Sequence, residues 1–127
     1  MPYLEHGNHT IEVRGNTITL TLFGEFNRQG ALSYIQAMKD TIVQFAGQPI
    51  VILVDNTQLT GGTPNAYEES NNYNQWLATQ KVLAVATVYS SEVFNVIDKA
   101  RVTNKELLNY KAFSTSEEAQ QWLVNFK

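Results

Sequence analysis

The segment PIVILVDNTQLTGGTP, residues 49–64, holds the residues with the clearest capacity for chemistry. An apolar run, Ile50 to Val54, ends in Asp55 and gives way to a polar loop containing Thr57, Gly61 and Gly62. The loop meets Thr63-Pro64, a hydroxyl in the N-cap position followed by proline at the first helical position. A helix start offers free N–H groups and partial positive charge, so Thr57, Gly61, Gly62 and Thr63 form a candidate anion-binding loop. Glycines would let the backbone approach a ligand closely, and equally they would make a tight turn. The loop contains no Lys or Arg and lacks the spacing of a P-loop. Thr63 also has a plain structural role, capping the amides of its own helix.

Asp55 stands where a polar terminator accepts from loop amides, which competes with any role as acid or base. His6 and His9 are three residues apart outside any helical pattern, so their rings do not converge on one metal. Ser90 and Ser91 follow a strand end with no nearby histidine and no Gly-x-Ser-x-Gly elbow. Glu92 suits the first turn of a helix, where negative charge is favourable. No nucleophile, base and orienter can be assembled, so no catalytic residue, metal ligand or cofactor is assigned.

Tyr67, Tyr73 and Trp76 supply the apolar face of a helix whose middle, Glu68-Glu69-Ser70-Asn71-Asn72, is strongly polar. Core packing accounts for such aromatics directly. A helix lifted partly from its sheet would instead open a crevice between them and Phe94 or Ile97 of the next helix, suited to a small apolar molecule or lipid. The same aromatics, if exposed, would anchor a protein partner.

The 127 residues suit one domain, and 43% hydrophobic with 17% charged residues is an ordinary globular balance. Net charge is −3 and nine Lys and Arg are scattered singly, leaving no basic stripe for nucleic acid. No cysteine is present, which removes disulfides and thiolate chemistry and fits a reducing compartment. No apolar run approaches the roughly 20 residues of a membrane span. The opening MPYLEHGNHT lacks the cationic and apolar regions of a secretory signal, so a cytoplasmic location is expected.

These residues need a scaffold. Thr10–Arg14 and Thr17–Phe23 alternate around Gly15-Asn16 and predict a β-hairpin, with Tyr3-Leu4 as a short lead-in. Asn27 offers a cap for a helix over 28–46, with Leu32, Ile35, Met38, Ile42 and Phe45 on one stripe and Gly47 ending it. A strand over 49–55, apolar on both faces, suits the middle of a helix-covered parallel sheet, where ligands gather at the carboxyl ends of the strands. A helix from Pro64 to about Thr79, a strand over 82–88, a helix from Ser91 to about Val102 and a short strand over 110–113 follow. Ser114-Thr115-Ser116-Glu117 contains a capping box for a last helix buried through Ala119, Trp122, Leu123 and Phe126. The expected class is α/β, one mixed sheet (an antiparallel hairpin, then parallel strands) covered by about four helices.

This order resembles the STAS-like domains, the sulphate transporter and anti-sigma-factor antagonist group, and especially their SpoIIAA-like branch. The resemblance rests on Val54-Asp55 at the strand end, the helix opening after Gly61-Gly62-Thr63-Pro64, the strand Leu83-Ala84-Val85-Ala86-Thr87-Val88, and the closing Phe113-x-Thr115-x-Glu117-Glu118-Ala119-x-x-Trp122-Leu123. In regulatory members a Ser or Thr at the start of this helix is phosphorylated by a partner kinase, which implies Thr63 as the phospho-acceptor here. The usual Asp-Ser-Ser-Gly tetrad is replaced by Gly61-Gly62-Thr63-Pro64. The resemblance implies a non-enzymatic, protein-interacting module over residues 1–127, with the loop 56–63 and the exposed side of the second helix facing the partner. Homodimerisation through the aromatic and aliphatic helix faces is also compatible with the sequence.

Overall fold

A computed structural model describes residues 4–90 and 108–127. Five strands form one sheet in chain order: β1 (Asn8–Arg14), β2 (Thr17–Phe26), β3 (Ile50–Gly62), β4 (Val82–Tyr89) and β5 (Tyr110–Phe113). β1 and β2 are antiparallel, and β2/β3, β3/β4 and β4/β5 are parallel. The hairpin turn holds Gly15 at φ 57°, while Ala46 is the one non-glycine at positive φ among the described residues. A glycine at the first central position with its neighbour at negative φ is the II′ arrangement, whose twist matches the flanking strands. The expected mixed sheet is therefore present.

Three helices cover the sheet among the described residues: α1 (Arg28–Val43), α2 (Pro64–Leu77) and α3 (Ser116–Val124). The helix expected over 91–102, which includes Phe94 and Ile97, lies outside the described residues. Strand alternation sorts the core into two layers. Ile18, Leu20, Leu22, Ile50, Ile52 and Val85 meet Tyr34, Ile35, Met38 and Ile42 of α1 and Tyr73 and Leu77 of α2. On the opposite face Val51, Leu53, Ala84, Ala86 and Val88 meet Ala119 and Leu123 of α3, with Phe113, Trp122 and Phe126 around them. The alanines carry no side chain beyond Cβ, so this short helix can lie close to the sheet.

β3 is central, and Ile50 to Leu53 are 5% exposed or less, buried on both faces as expected. Its length differs from the expectation. The segment 56–62 is not a loop but continues the strand, paired with a β2 that itself runs to Phe26. The sequence signal failed here because Asn, Thr, Gln and Gly disfavour strands in isolation, whereas a neighbouring strand supplies the ladder partners that decide the matter. α1 also ends earlier than predicted. Phe45 and Ala46 donate to Ile42 and Val43 in a tightened last turn before Gly47 at φ 84°.

The caps follow the sequence closely. Asn27 Oδ1 accepts from Gly30 N at 2.9 Å and from His6 N at 3.0 Å, and its Nδ2 donates to Leu4 O at 2.7 Å. One side chain thus starts α1 and ties down the N-terminal segment. At α3 the capping box sits one residue later than expected. Thr115 accepts from Glu118 N and donates to Glu118 Oε1, because Thr115, not Ser114, is the last extended residue before the helix.

Candidate functional site

The site is built at the carboxyl end of β3. Asp55 pairs with both Thr21 and Val88, and Asn56 with Tyr89, where the β3–β4 ladder ends. Beyond that point the described part of β3 pairs only with β2. The register there slips twice, between Thr21/Phe23 and between Gly24/Glu25, so β3 carries two extra residues in this arm. Bulges of this kind bend a strand and re-aim its side chains. The half-buried Asp55 accepts through Oδ1 from Thr57 N at 2.9 Å and Thr57 Oγ1 at 2.6 Å, binding the backbone across the first bulge. Both polar groups are thereby committed to local structure.

Gly61 stands at φ 149°, a conformation that side chains disfavour, although a Cβ there would meet nothing within 4 Å. A Cβ on Gly62 would lie 3.4 Å from the Tyr67 ring. Thr63 donates its N–H to Phe26 O at 2.9 Å and accepts through Oγ1 from Ala66 N at 3.2 Å. It is the N-cap, with Pro64 in the first turn, as the sequence indicates. Thr57, Gly61, Gly62 and Thr63 therefore share one arm and one helix start.

Between α2 and the sheet lies a cavity of about 110 Å³. Its apolar lining comes from Leu20 and Leu22 of β2, Ile52 and Val54 of β3, Val85 of β4 and Leu77 of α2. Its polar lining is concentrated in tyrosine. Tyr34, Tyr67, Tyr73, Tyr89 and Tyr110 all reach it, which is every tyrosine among the described residues. Asn56, Ser70, Asn74 and Thr87 complete the polar set, and no ionisable acid, base or histidine occurs among the described lining residues. Among the described residues the lining offers no carboxylate or imidazole for proton transfer.

Two hydroxyl pairs flank this space. Tyr34 Oη and Ser70 Oγ are 2.8 Å apart, joining α1 to α2, and Tyr89 Oη and Tyr110 Oη are 2.9 Å apart, joining β4 to β5. Asn56, 6% exposed, stands beside Tyr89 in the β3–β4 ladder, and its Oδ1 is buried without a hydrogen-bond partner among the described residues.

Burial dominates the acidities here. It pushes the Tyr34 phenol up to about 12, against a smaller opposing effect of the Ser70 hydrogen bond. Tyr73 is raised by burial and then by the neighbouring Tyr34. Tyr89 is raised strongly by burial and then by Tyr110, and Tyr110 is raised by burial. All four remain protonated at neutral pH and so keep their donor hydrogens.

The aromatic residues singled out from sequence part company. Tyr67 and the buried Tyr73 line the cavity. Trp76 does not; it stacks on Tyr73 at 6.4 Å between centroids, with Lys39 Nζ 5.3 Å from its ring. Phe94 lies outside the described residues. The cavity sits between α2 and the sheet, whereas the crevice expected between α2 and the helix over 91–102 lies outside the described residues. The polar middle of α2 has a packing explanation: Glu69 Oε2 accepts from Arg28 Nε at 2.8 Å, and Ser70 bonds Tyr34.

Tyr34, Tyr89 and Tyr110 escaped the sequence reading, and Asn56 enters it only as the first residue of the loop 56–63. A signal existed in the period of two that puts Ile52, Val54 and Asn56 on one face, and Val85, Thr87 and Tyr89 on the same face of the next strand. Each of those rows ends in polar residues at the carboxyl end of its strand. His6 lies at the start of α1, where its N–H donates to Asn27 Oδ1, His9 lies in β1, and no cluster of three metal-ligating side chains occurs among the described residues. Ser90 is exposed at the end of β4, and Ser91 and Glu92 lie outside the described residues.

No protein-family model and no curated protein sequence matches the chain. Solved structures do. An uncharacterised protein of Shewanella loihica, from the DUF3478 family with a SpoIIAA-like fold, superposes with a TM-score of 0.70 at 17% identity, over 95% of this chain and 96% of that one. An anti-sigma factor antagonist of Mycobacterium paratuberculosis gives 0.70 at 11% identity, over 94% and 95%. The anti-sigma factor antagonist SpoIIAA in its unphosphorylated form gives 0.61 at 13% identity, over 93% and 98%.

Proposed function

The chain has the SpoIIAA-like, STAS-type fold, and on that premise we propose that it is a non-catalytic regulatory module that docks a protein partner. The docking surface is the rim formed by the β2–β3 arm and the exposed side of α2. The observation carrying this reading is the likeness, over nearly the whole chain, to two anti-sigma factor antagonists. Thr63 supports it, since it places a hydroxyl where the arm turns into α2, between the exposed Thr60 and Asn65. In this reading Thr63 is the residue a partner kinase would modify, and a phosphate there would meet the positive end of the α2 dipole. The test is affinity capture from cells of the source organism, with identification of the bound protein and titration against the purified pair. Thr60→Arg with Asn65→Arg is expected to abolish binding while leaving the thermal midpoint within the small range of surface substitutions. Equal binding by the variant overturns the docking surface.

A second reading is favoured by the cavity itself: a small uncharged molecule held beneath α2. Its volume suits a single ring better than a whole acyl chain. Native mass spectrometry followed by denaturation tests whether such a molecule copurifies.

A further inference from the structure

We infer that the outer edge of β1 pairs with the same edge of a second copy of this chain, antiparallel across a two-fold axis at Val13. The inference is independent of both functional readings above.

β1 ends the sheet, and its outer side meets no other strand among the described residues. The two-residue turn makes Arg14 and Thr17 a pair that exchanges both backbone hydrogen bonds, and such exchange recurs at every second residue. Asn8, Thr10, Glu12 and Arg14 therefore spend their backbone groups on β2, while those of His9, Ile11 and Val13 point outward. Sheet edges are commonly guarded by shortness, lysine, proline or a bulge. β5, at the other end of the sheet, has four residues and carries the exposed Lys111. β1 has seven residues in unbroken register without lysine or proline, and Val13 is 48% exposed.

Charge says what fits this edge. Glu12 and Arg14 are exposed, opposite in sign and two residues apart, so they share one face of the strand. An antiparallel copy centred on Val13 sets Glu12 against the copy's Arg14, and Arg14 against its Glu12. The ion pair within each strand is thereby replaced by two across the seam. Centring on Glu12 would oppose two carboxylates. Centring on Ile11 would set Glu12 against Thr10 and Arg14 against Asn8, with no charge matched. At the axis the two Val13 residues exchange N–H and C=O, and their side chains lie together on the opposite face. The Asn8 end of the edge leads into a segment whose His6 is tied to Asn27 at the start of α1, which favours the Val13 end. Arg14 pairs with Thr17, where β2 begins, whereas the β2–β3 arm lies at the far end of β2. The seam therefore leaves the rim formed by the arm and α2 uncovered in both copies.

Sedimentation equilibrium of the full chain over a concentration series is expected to show a reversible dimer, and a weak one because few residues pair. Val13→Pro removes the outward N–H while sparing the ladder to β2, so it should weaken dimerisation by about tenfold. Arg14→Glu opposes glutamate to glutamate twice and should also weaken it by about tenfold. Glu12→Arg combined with Arg14→Glu exchanges the charges and restores the match, so it should return to within about threefold of wild type. Thermal melting of each variant reports whether it folds, and the charge variants lie on an exposed face. A wild-type protein that stays monomeric up to about 1 mM overturns the pairing and leaves the edge to an extended segment of another protein. A dimer that survives Val13→Pro overturns this edge as the seam. One that is indifferent to Arg14→Glu, or that the double exchange does not restore, overturns the Val13 register.

Discussion

Tyr34 Oη lies 2.8 Å from Ser70 Oγ, and this contact is the polar link between α1 and α2 at the cavity edge. The Tyr34 ring also sits edge-on to Phe26 at 5.8 Å and to Tyr73 at 6.0 Å, so an aromatic chain runs from the end of β2 through both helices. The hydroxyl and the ring make separable contributions.

Tyr34→Phe removes only the hydroxyl. Ser70 is half-buried and can turn to water, so the expected loss is about 1 kcal/mol. Tyr34→Ala also removes both edge-to-face contacts and leaves a void, for an expected loss of about 3–5 kcal/mol. Urea denaturation of the two variants checks the difference; comparable losses would show that the hydroxyl, not the ring, holds the helices together.

Gly30 is the one glycine of α1. A Cβ there would run into His6 O, against backbone that Asn27 itself holds in place. Gly30→Ala should therefore displace residues 4–7 from the start of α1 at a cost of about 1–3 kcal/mol. Asn27→Ala should cost about 1 kcal/mol for the cap, and more through the loss of its bonds to His6 and Leu4. Amide exchange of the N-terminal segment is expected to speed up in both. Unchanged protection in Gly30→Ala would mean the segment has another anchor.

The two threonine caps offer an internal control. Thr63→Ala and Thr115→Ala each remove an oxygen that accepts from the first turn, at Ala66 N and Glu118 N. Each should cost about 1 kcal/mol, and serine at either position should restore most of it. If Thr63→Ser restores stability but not partner binding, the threonine methyl belongs to the recognition surface.

Alkaline pH should unfold the protein through its tyrosines. Tyrosine in the unfolded chain ionises near 10.0, whereas burial holds Tyr34 protonated up to about 12 and raises Tyr73, Tyr89 and Tyr110 too. The folded state thus binds more protons than the unfolded state above pH 10. Its stability is unaffected by these groups below that pH and falls as pH climbs from 10 towards 12. Phenolate absorbance should rise together with loss of circular dichroism. Full phenolate formation near pH 10 in a chain that stays folded would contradict the burial of these hydroxyls.

The amino-acid sequence by itself determined the periodic parts of this protein. The alternation in TIEVR and TITLTLF, the five-residue run from Ile50 to Val54, and the caps at Asn27, Thr63 and the start of α3 are local patterns, and local physics is enough to place them. The tertiary structure alone decided that residues 56–62 are strand, because only the pairing with β2 supplies their ladder bonds. It also decided which tyrosines share a cavity. Tyr34, Tyr67, Tyr73, Tyr89 and Tyr110 come from two helices and two strands, and no short-range pattern connects them. The unpartnered oxygen of Asn56 is of the same kind. Whether a side-chain amide finds partners depends on the register of β3 against β4 and on what packs above it, which is a property of the assembled sheet and not of any segment within it.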